Sequence, residues 1–269
     1  MKAKDLLDAG QLSALVAELN EEVKRRPTDA SLRTFLFEVL CFTGEYQRAE
    51  RQLDAIGHQS ESAGVGVEVY RNLLRAEIAR QRCFSAGLRP TFLSAPPPYI
   101  QYHLDALDRL REEHSAEAGL LLEKSVQSRR PLKGRVEGRA FSSFRDSDDL
   151  LAPILEVFAR DAYVWFPVEQ IVNVTIAAPK YLRDLLWIRA TIETTQGSGG
   201  EVFVPVLYTG SHLADDDRIR LGRMTDWRLA GDGLTRGLGQ RTFLIDDEER
   251  GILEVRELEF EIDPKVENG

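Results

Sequence analysis

FSSFRDSDDLLAP, residues 141–153, opens the stretch whose reading decides the fold. The chain continues through YVWFP (163–167), PKYLRDLLW (179–187), PVLYTGS (205–211) and LGRMTDW (221–227) to GLGQRTF (237–243). Prolines fix φ and glycines reach positive φ, so their density among aromatics predicts a compact β-rich module with constrained turns. IVNVTI (171–176) and IRATIE (188–193) alternate apolar and polar residues, the period of a half-buried strand. VFVPVL (202–207) is a further strand, and Pro205 assigns it to an edge or bulge. Shorter strands are predicted at 163–166, 219–221, 227–229 and 241–245, with LEFEI (258–262) the last. Such a series predicts a partly open, barrel-like or strongly curved sheet. Asp148 reads as the N-cap of a helix over 150–158, with Leu151, Ile154, Leu155 and Phe158 buried. Residues 180–186 read as a helical turn following Pro179.

Upstream of this stretch the pattern changes to helices. DAGQLSAL (8–15) and FTGEYQRA (42–49) align at a 34-residue period, Gly10 over Gly44 and Leu19 over Leu53. That period resembles the tetratricopeptide repeat, in which a glycine turn joins two antiparallel helices. Leu32, Leu36, Val39 and Leu40 form one apolar stripe, and Ala49, Leu53 and Ile56 the facing one. Further helices are predicted at 67–83, 99–112 and 115–129, separated by the proline-rich run 87–98. The expected fold class is therefore α+β: tetratricopeptide-like antiparallel helix pairs, then the β-rich module. Pro131 and Gly134 mark the boundary, giving a helical domain at 1–130, a β-rich domain at 131–250 and a terminal strand with an acidic tail at 251–269.

Composition limits the function classes. A formal charge of −9 gives no bulk attraction to nucleic acid or to an anionic membrane. The basic groups at Arg129, Arg130, Lys133, Arg135, Arg139 and at Arg218, Arg220, Arg223 read as solvated faces or internal ion pairs. Cys41 and Cys83 do not form a CxxC pair and read as buried thiols of a reducing compartment. With no signal-like apolar run after MKAKD, a cytoplasmic protein without membrane insertion is expected.

The search for chemistry yields little. The four histidines lack metal-pair spacing, and the acidic runs 146–149 and 215–217 lack the EF-hand pattern. They read as a helix cap and a solvated turn. GDGLTRGLG (231–239) follows neither phosphate-loop pattern and reads as turns. Asp226 and Arg241 are candidates for a buried ion pair between strands. A small hydrolase or ligand-binding enzyme built from Ser211, His212, Arg223 and Asp226 is the alternative, but TGSH is not a nucleophile elbow. Trp165, Trp187 and Trp227 read as core or protein-contact residues rather than base-stacking platforms.

Taken together, FRDSDD (144–149) with Leu151 and Pro153, then Tyr163, Trp165, Pro167, Glu169 and Ile171, LRDL (182–185), Pro205, Leu207 and Tyr208, LGRMTDW and GQRTF resemble the ImpE/SciE family. The resemblance covers the whole chain. It implies a non-catalytic accessory protein of bacterial type VI secretion, without cofactor or metal. It further implies binding to the N-terminal helix of the small, TssB-like contractile-sheath subunit and a functional link to ClpV, the AAA+ ATPase that disassembles contracted sheaths. Binding an amphipathic helix needs an apolar groove rather than a basic surface. Two places are candidates: the helix pairs around Tyr46, Leu53, Tyr70 and Leu74, and the β-rich half around Trp165, Trp187 and Trp227.

Overall fold

The structure, a computed structural model, describes residues 2–59, 64–197, 199–231 and 233–261 of the 269. Its first part is helical: α1 (Lys2–Asp8), α2 (Leu12–Arg25), α3 (Ala30–Phe42), α4 (Tyr46–Gln59), α5 (Gly64–Ala86), α6 (Ile100–Arg111) and α7 (Ser115–Gln127). The stripe that specifies α2 is Leu12, Leu15, Leu19 and Val23, all buried. Asp29 caps α3 by accepting from the Ser31 and Leu32 amides, which satisfies two donors the helix leaves open. Ala49, Leu53 and Ile56 of α4 are buried, and α3 packs on α4 as α6 packs on α7.

The second part is an antiparallel β region. It comprises β1 (Gly134–Val136), β2 (Arg139–Phe141), β3 (Phe144–Asp146), β4 (Ile154–Ala159), β5 (Ala162–Pro167), β6 (Ile171–Ile176), β7 (Trp187–Thr194), β8 (Gly199–Pro205), β9 (Thr225–Leu229), β10 (Thr235–Gly239), β11 (Thr242–Ile245), β12 (Glu248–Gly251) and β13 (Glu257–Phe260). A short helix, α8 (Asp217–Arg220), precedes β9. Eight strands form one sheet in the order β2-β1-β13-β6-β7-β8-β4-β5, with β2 and β5 as its two ends. β12-β11-β3 form a second sheet, and β9 and β10 a separate hairpin. The β5 end is covered: the Thr91 amide donates to the Tyr163 carbonyl and the Trp165 amide to that of Thr91. One apolar core runs from Leu12 through α5 and the sheet to Phe260. At its far side Phe144 packs on Phe141, Phe243 and Phe260.

Three local expectations are corrected. Asp148 does cap, accepting from the Leu150 amide, but the helix stops after one 3-10 turn, Asp149–Leu151. Ile154–Ala159 is strand β4 instead, and five of its six residues are buried. A strand covered on both faces loses its alternation and mimics a buried helix in sequence. Residues 217–220 are the helix α8, started by the Asp216 carboxylate, where 219–221 read as strand. The glycine-rich run 231–239 is largely strand β10 rather than turn. A Cβ on Gly237 would stand 2.3 Å from the Tyr208 ring, so the glycine makes room for that ring within the strand. The end of the expected strand at residue 262 and the acidic tail lie outside the described residues.

Candidate interaction site

The helical part meets the β region through a buried ionic network. Arg80, on the buried face of α5, donates through Nε to Glu156 Oε1 at 2.8 Å and through Nη2 to Oε2 at 2.9 Å. Its Nη2 also donates to the Leu207 carbonyl at 2.9 Å. Glu156 is fully buried in the middle of β4 and accepts as well from Arg241 and from the Tyr163 hydroxyl. Trp165 donates its indole N–H to that hydroxyl. Glu77, one turn before Arg80, accepts from Trp187 Nε1 at 3.1 Å and Gln81 Nε2 at 2.8 Å. Behind Arg241 stands Asp146, 3.6 Å from its Nε, and the Tyr208 hydroxyl donates to Asp146 Oδ1 at 2.8 Å. Burial raises the Asp146 carboxyl to about 6 and lowers the Arg241 guanidinium to about 10, each toward its neutral form.

The predicted contact residues fall into two groups. Leu53, Leu74, Trp165 and Trp187 are buried in the core. Tyr46, Tyr70 and Trp227 are half-buried. Tyr46 and Trp187 line one small space of about 20 Å³ at the seam, with Glu77, Arg80, Ser211 and His212. That is room for about one water, not for a substrate. Tyr70 faces the Arg183 guanidinium at 5.1 Å, and Arg183 reaches Glu38 of α3 at 2.9 Å. Trp227 packs near Tyr208 with ring centroids 5.9 Å apart.

The residues of the enzyme alternative are engaged separately. Ser211 Oγ donates to the Tyr208 carbonyl at 2.6 Å and accepts from the Gly239 amide at 2.8 Å. His212 lies edge-on to Tyr46 and against Gly44. Arg223 donates to the Leu7 and Asp8 carbonyls at the end of α1. Asp226 is exposed and accepts from the Trp227 amide, so the expected Asp226–Arg241 pair does not form. Arg241 pairs with Glu156 and Asp146 because those carboxylates share its buried layer. Asp217 is likewise more than part of a solvated turn: it accepts from the Leu12 amide at 2.8 Å and so caps α2. Cys41 and Cys83 are free and buried, and burial raises both thiols. Among the described residues no cluster of three or more His, Cys, Asp or Glu is placed to hold a metal, and no helix is long and apolar enough to cross a membrane.

Open surface of a different kind lies on α7. Between α7, the turn at 145–152 and the start of β10 runs a trough of about 340 Å³. Its wall is apolar at Leu122, Val126 and Leu234 and cationic at Arg129 and Arg145. Beneath it His103 and Ser125, both buried, tie three elements together. The Leu150 carbonyl 2.7 Å from His103 Nδ1 only accepts, so Nδ1 carries the proton and Nε2 accepts from Ser125 Oγ at 2.7 Å. Burial depresses the imidazole to about 4, which keeps it neutral.

Sequence reasoning missed Glu77, Arg80, Glu156 and the His103–Ser125 pair. A signal existed for the first three. Glu77 and Arg80 sit on the same stripe as Leu73 and Leu74, and Glu156 interrupts an apolar run. Charges on a buried face imply partners elsewhere in the chain.

The comparisons agree with this architecture. A crystal structure of protein VPA1032 from Vibrio parahaemolyticus superposes with a TM-score of 0.91 over 99% of this chain and 100% of that one, at 23% identity, and so shares the fold. The sequence model of the ImpE protein family matches residues 138–259, the span that holds Asp146, Glu156, Tyr208 and Arg241. A Pseudomonas aeruginosa protein, type VI secretion system accessory component TagJ, is 34% identical over 97% of this chain and 92% of its own length. A relationship that close along almost the entire length means that the chain belongs to the ImpE family.

Proposed function

We propose that this chain is a non-catalytic adaptor of a bacterial type VI secretion system. It binds the N-terminal helix of the small sheath subunit and modulates how the AAA+ ATPase handles the sheath in the cytoplasm. The observation that carries the reading is the 34% identity, over nearly the full length of both chains, to a protein named as an accessory component of that system. A second observation supports it: Ser211 and the charged groups at the seam between helices and sheet are engaged within the fold. Ser211 is bonded to backbone on both sides, and Arg80, Arg241 and Glu156 neutralise one another out of solvent.

In this reading residues 1–130 are tetratricopeptide-like helix pairs, 131–250 are the β-rich unit that braces them, and 251–269 carry the closing strand and acidic tail. Tyr46, Tyr70 and Trp227 are the members of the expected contact set with remaining exposed area. The test is calorimetric titration of the sheath subunit's N-terminal helix peptide into the folded chain. Saturable binding is expected. Folded protein that takes up no peptide at high micromolar concentration overturns the proposal.

A further inference from the structure

The hairpin of β9 and β10 is a separate two-stranded sheet, and its two outer edges are treated differently. Its ladder is regular from Ala230, whose amide donates to the Leu234 carbonyl at 2.8 Å, to Gln240, whose amide donates to that of Met224 at 3.4 Å. Bonded positions alternate along an antiparallel pair. Residues 224, 226, 228 and 230 therefore bond toward β10, and Thr225, Trp227 and Leu229 turn their backbone groups outward. The outward amides of β10 are all taken: Thr235 donates to Asp149 at 2.6 Å, Gly237 to Asp148 at 2.9 Å and Gly239 to Ser211 Oγ at 2.8 Å. On β9 the one outward amide with a partner among the described residues is that of Trp227, and its acceptor is the neighbouring Asp226 side chain.

An open edge is a template for another strand, and charges that repel a copy of themselves are a common way to blunt it. β9 carries the opposite arrangement. Asp226 and Arg228 differ in sign, lie on one face of the strand and are exposed. Within its own hairpin Arg228 stands opposite another arginine, Arg236. Lay a second β9 antiparallel to the first about a two-fold axis at Trp227, and Asp226 of each copy faces the partner's Arg228. Thr225 then faces the partner's Leu229, a residue 74% exposed in the single chain. The outward backbone groups at 225, 227 and 229 become the bonded positions of the new pair. Asp226 gives up the Trp227 amide to a backbone carbonyl and takes the partner's Arg228 instead. Sliding one strand by two residues would set Arg228 or Asp226 opposite itself, so the charges define a single register.

We propose that the outer edge of β9 is a self-association site, where two copies of this chain pair their β9 strands antiparallel about Trp227. Each chain has a formal charge of −9, so copies repel in bulk and the contact depends on this local complementarity. One short strand pair is a small interface, which makes the dimer weak and concentration-dependent.

Sedimentation velocity on the full chain, from low to high micromolar, reads the association. The unmodified chain is expected to pass from monomer to dimer. Asp226→Arg and Arg228→Asp are each expected to stay monomeric, because each sets like charges opposite one another in both pairs. An equal mixture of the two variants is expected to dimerise again, because every cross-strand pair then has opposite signs. Both positions are exposed, so thermal unfolding of either variant stays near that of the unmodified chain. An unmodified chain that stays monomeric at the highest concentration overturns the proposal. So does a dimer that either charge reversal leaves intact, or a mixture that stays monomeric. The adaptor reading does not depend on the outcome.

Discussion

Arg80 and Glu156 lie 76 positions apart in the chain and meet in two parallel bonds of 2.8 and 2.9 Å, with neither side chain reaching solvent. Two charges removed from water need excellent geometry and further partners to be tolerated. Here the partners are Leu207, Tyr163 and Arg241. Because Arg80 belongs to α5 and Glu156 to β4, the pair ties helix to sheet at their buried seam.

Breaking the network at different points gives different costs. Arg80→Met leaves Glu156 with Arg241 and is expected to destabilise by about 3–5 kcal/mol. Glu156→Gln removes the charge shared by both arginines and costs more, because it leaves Arg80 with only the 3.4 Å ion pair to Glu77 and Arg241 with only the 3.6 Å ion pair to Asp146. Urea unfolding of both variants measures the order. A Glu156→Gln protein as stable as Arg80→Met contradicts the shared role.

Two buried groups titrate with opposite sign. His103 is depressed from 6.5 to about 4, so the unfolded chain binds the proton first. Stability from the neutral imidazole is full above pH 6.5 and lost as pH falls to 4, in all about 3 kcal/mol. Asp146 is raised from 3.8 to about 6, so its contribution is full below pH 3.8 and lost as pH rises through 6, again about 3 kcal/mol. Between pH 6 and 4 the two changes nearly cancel. Asp146→Asn keeps the acceptor for Tyr208 and removes one limb, so its unfolding midpoint falls more steeply below pH 6 than that of the unmodified chain. His103→Gln reverses the slope. Parallel pH profiles for all three proteins contradict the assignment.

Gly44 and Gly10 separate backbone strain from side-chain collision. Both have positive φ, 72° and 68°. A Cβ on Gly44 stands 2.4 Å from the His212 ring, whereas on Gly10 the nearest atom is 3.8 Å away. Gly10→Ala is expected to cost about 1–2 kcal/mol, the left-handed penalty alone. Gly44→Ala costs more, and Gly44→Ala/His212→Ala recovers the excess. A double-mutant cycle by thermal unfolding reads the coupling. No recovery in the double variant means that His212 is not what occupies the turn.

What the sequence made legible follows local chemistry. Leu12, Leu15, Leu19 and Val23 announce α2 by spacing, Asp29 announces the start of α3, and the alternation in 171–176 and 188–193 announces β6 and β7. Where burial is two-sided the period vanishes, and β4 read as a helix behind a true cap. Long-range partners are invisible in the same way. Nothing near Arg241 in sequence names Glu156, so a surface aspartate, Asp226, took its place in the expected pair. The tryptophans read as contact surface because sequence shows their size but not the acceptors, Tyr163 and Glu77, that draw Trp165 and Trp187 inward.

The segment around α8 reaches back to the first helices, and that contact is separable from the core. Asp217 caps the amide of Leu12, and Arg223 closes the last carbonyls of α1, at 2.9 Å to Asp8 and 2.8 Å to Leu7. These bonds satisfy both sides of one helix–helix turn from more than 200 positions away. Asp217→Ala removes a helix cap, worth about 1 kcal/mol. Arg223→Ala removes two bonds from an exposed site, a smaller loss in global stability. Their local effect is larger than their global one, since α1 has Ala3 as its one buried residue. Hydrogen exchange across residues 2–12 is therefore expected to rise in both variants while α5 and β4 keep their protection. Uniform loss of protection across the chain means that the clamp supports the whole fold, and unchanged exchange at the first helices means that α1 is held by packing alone.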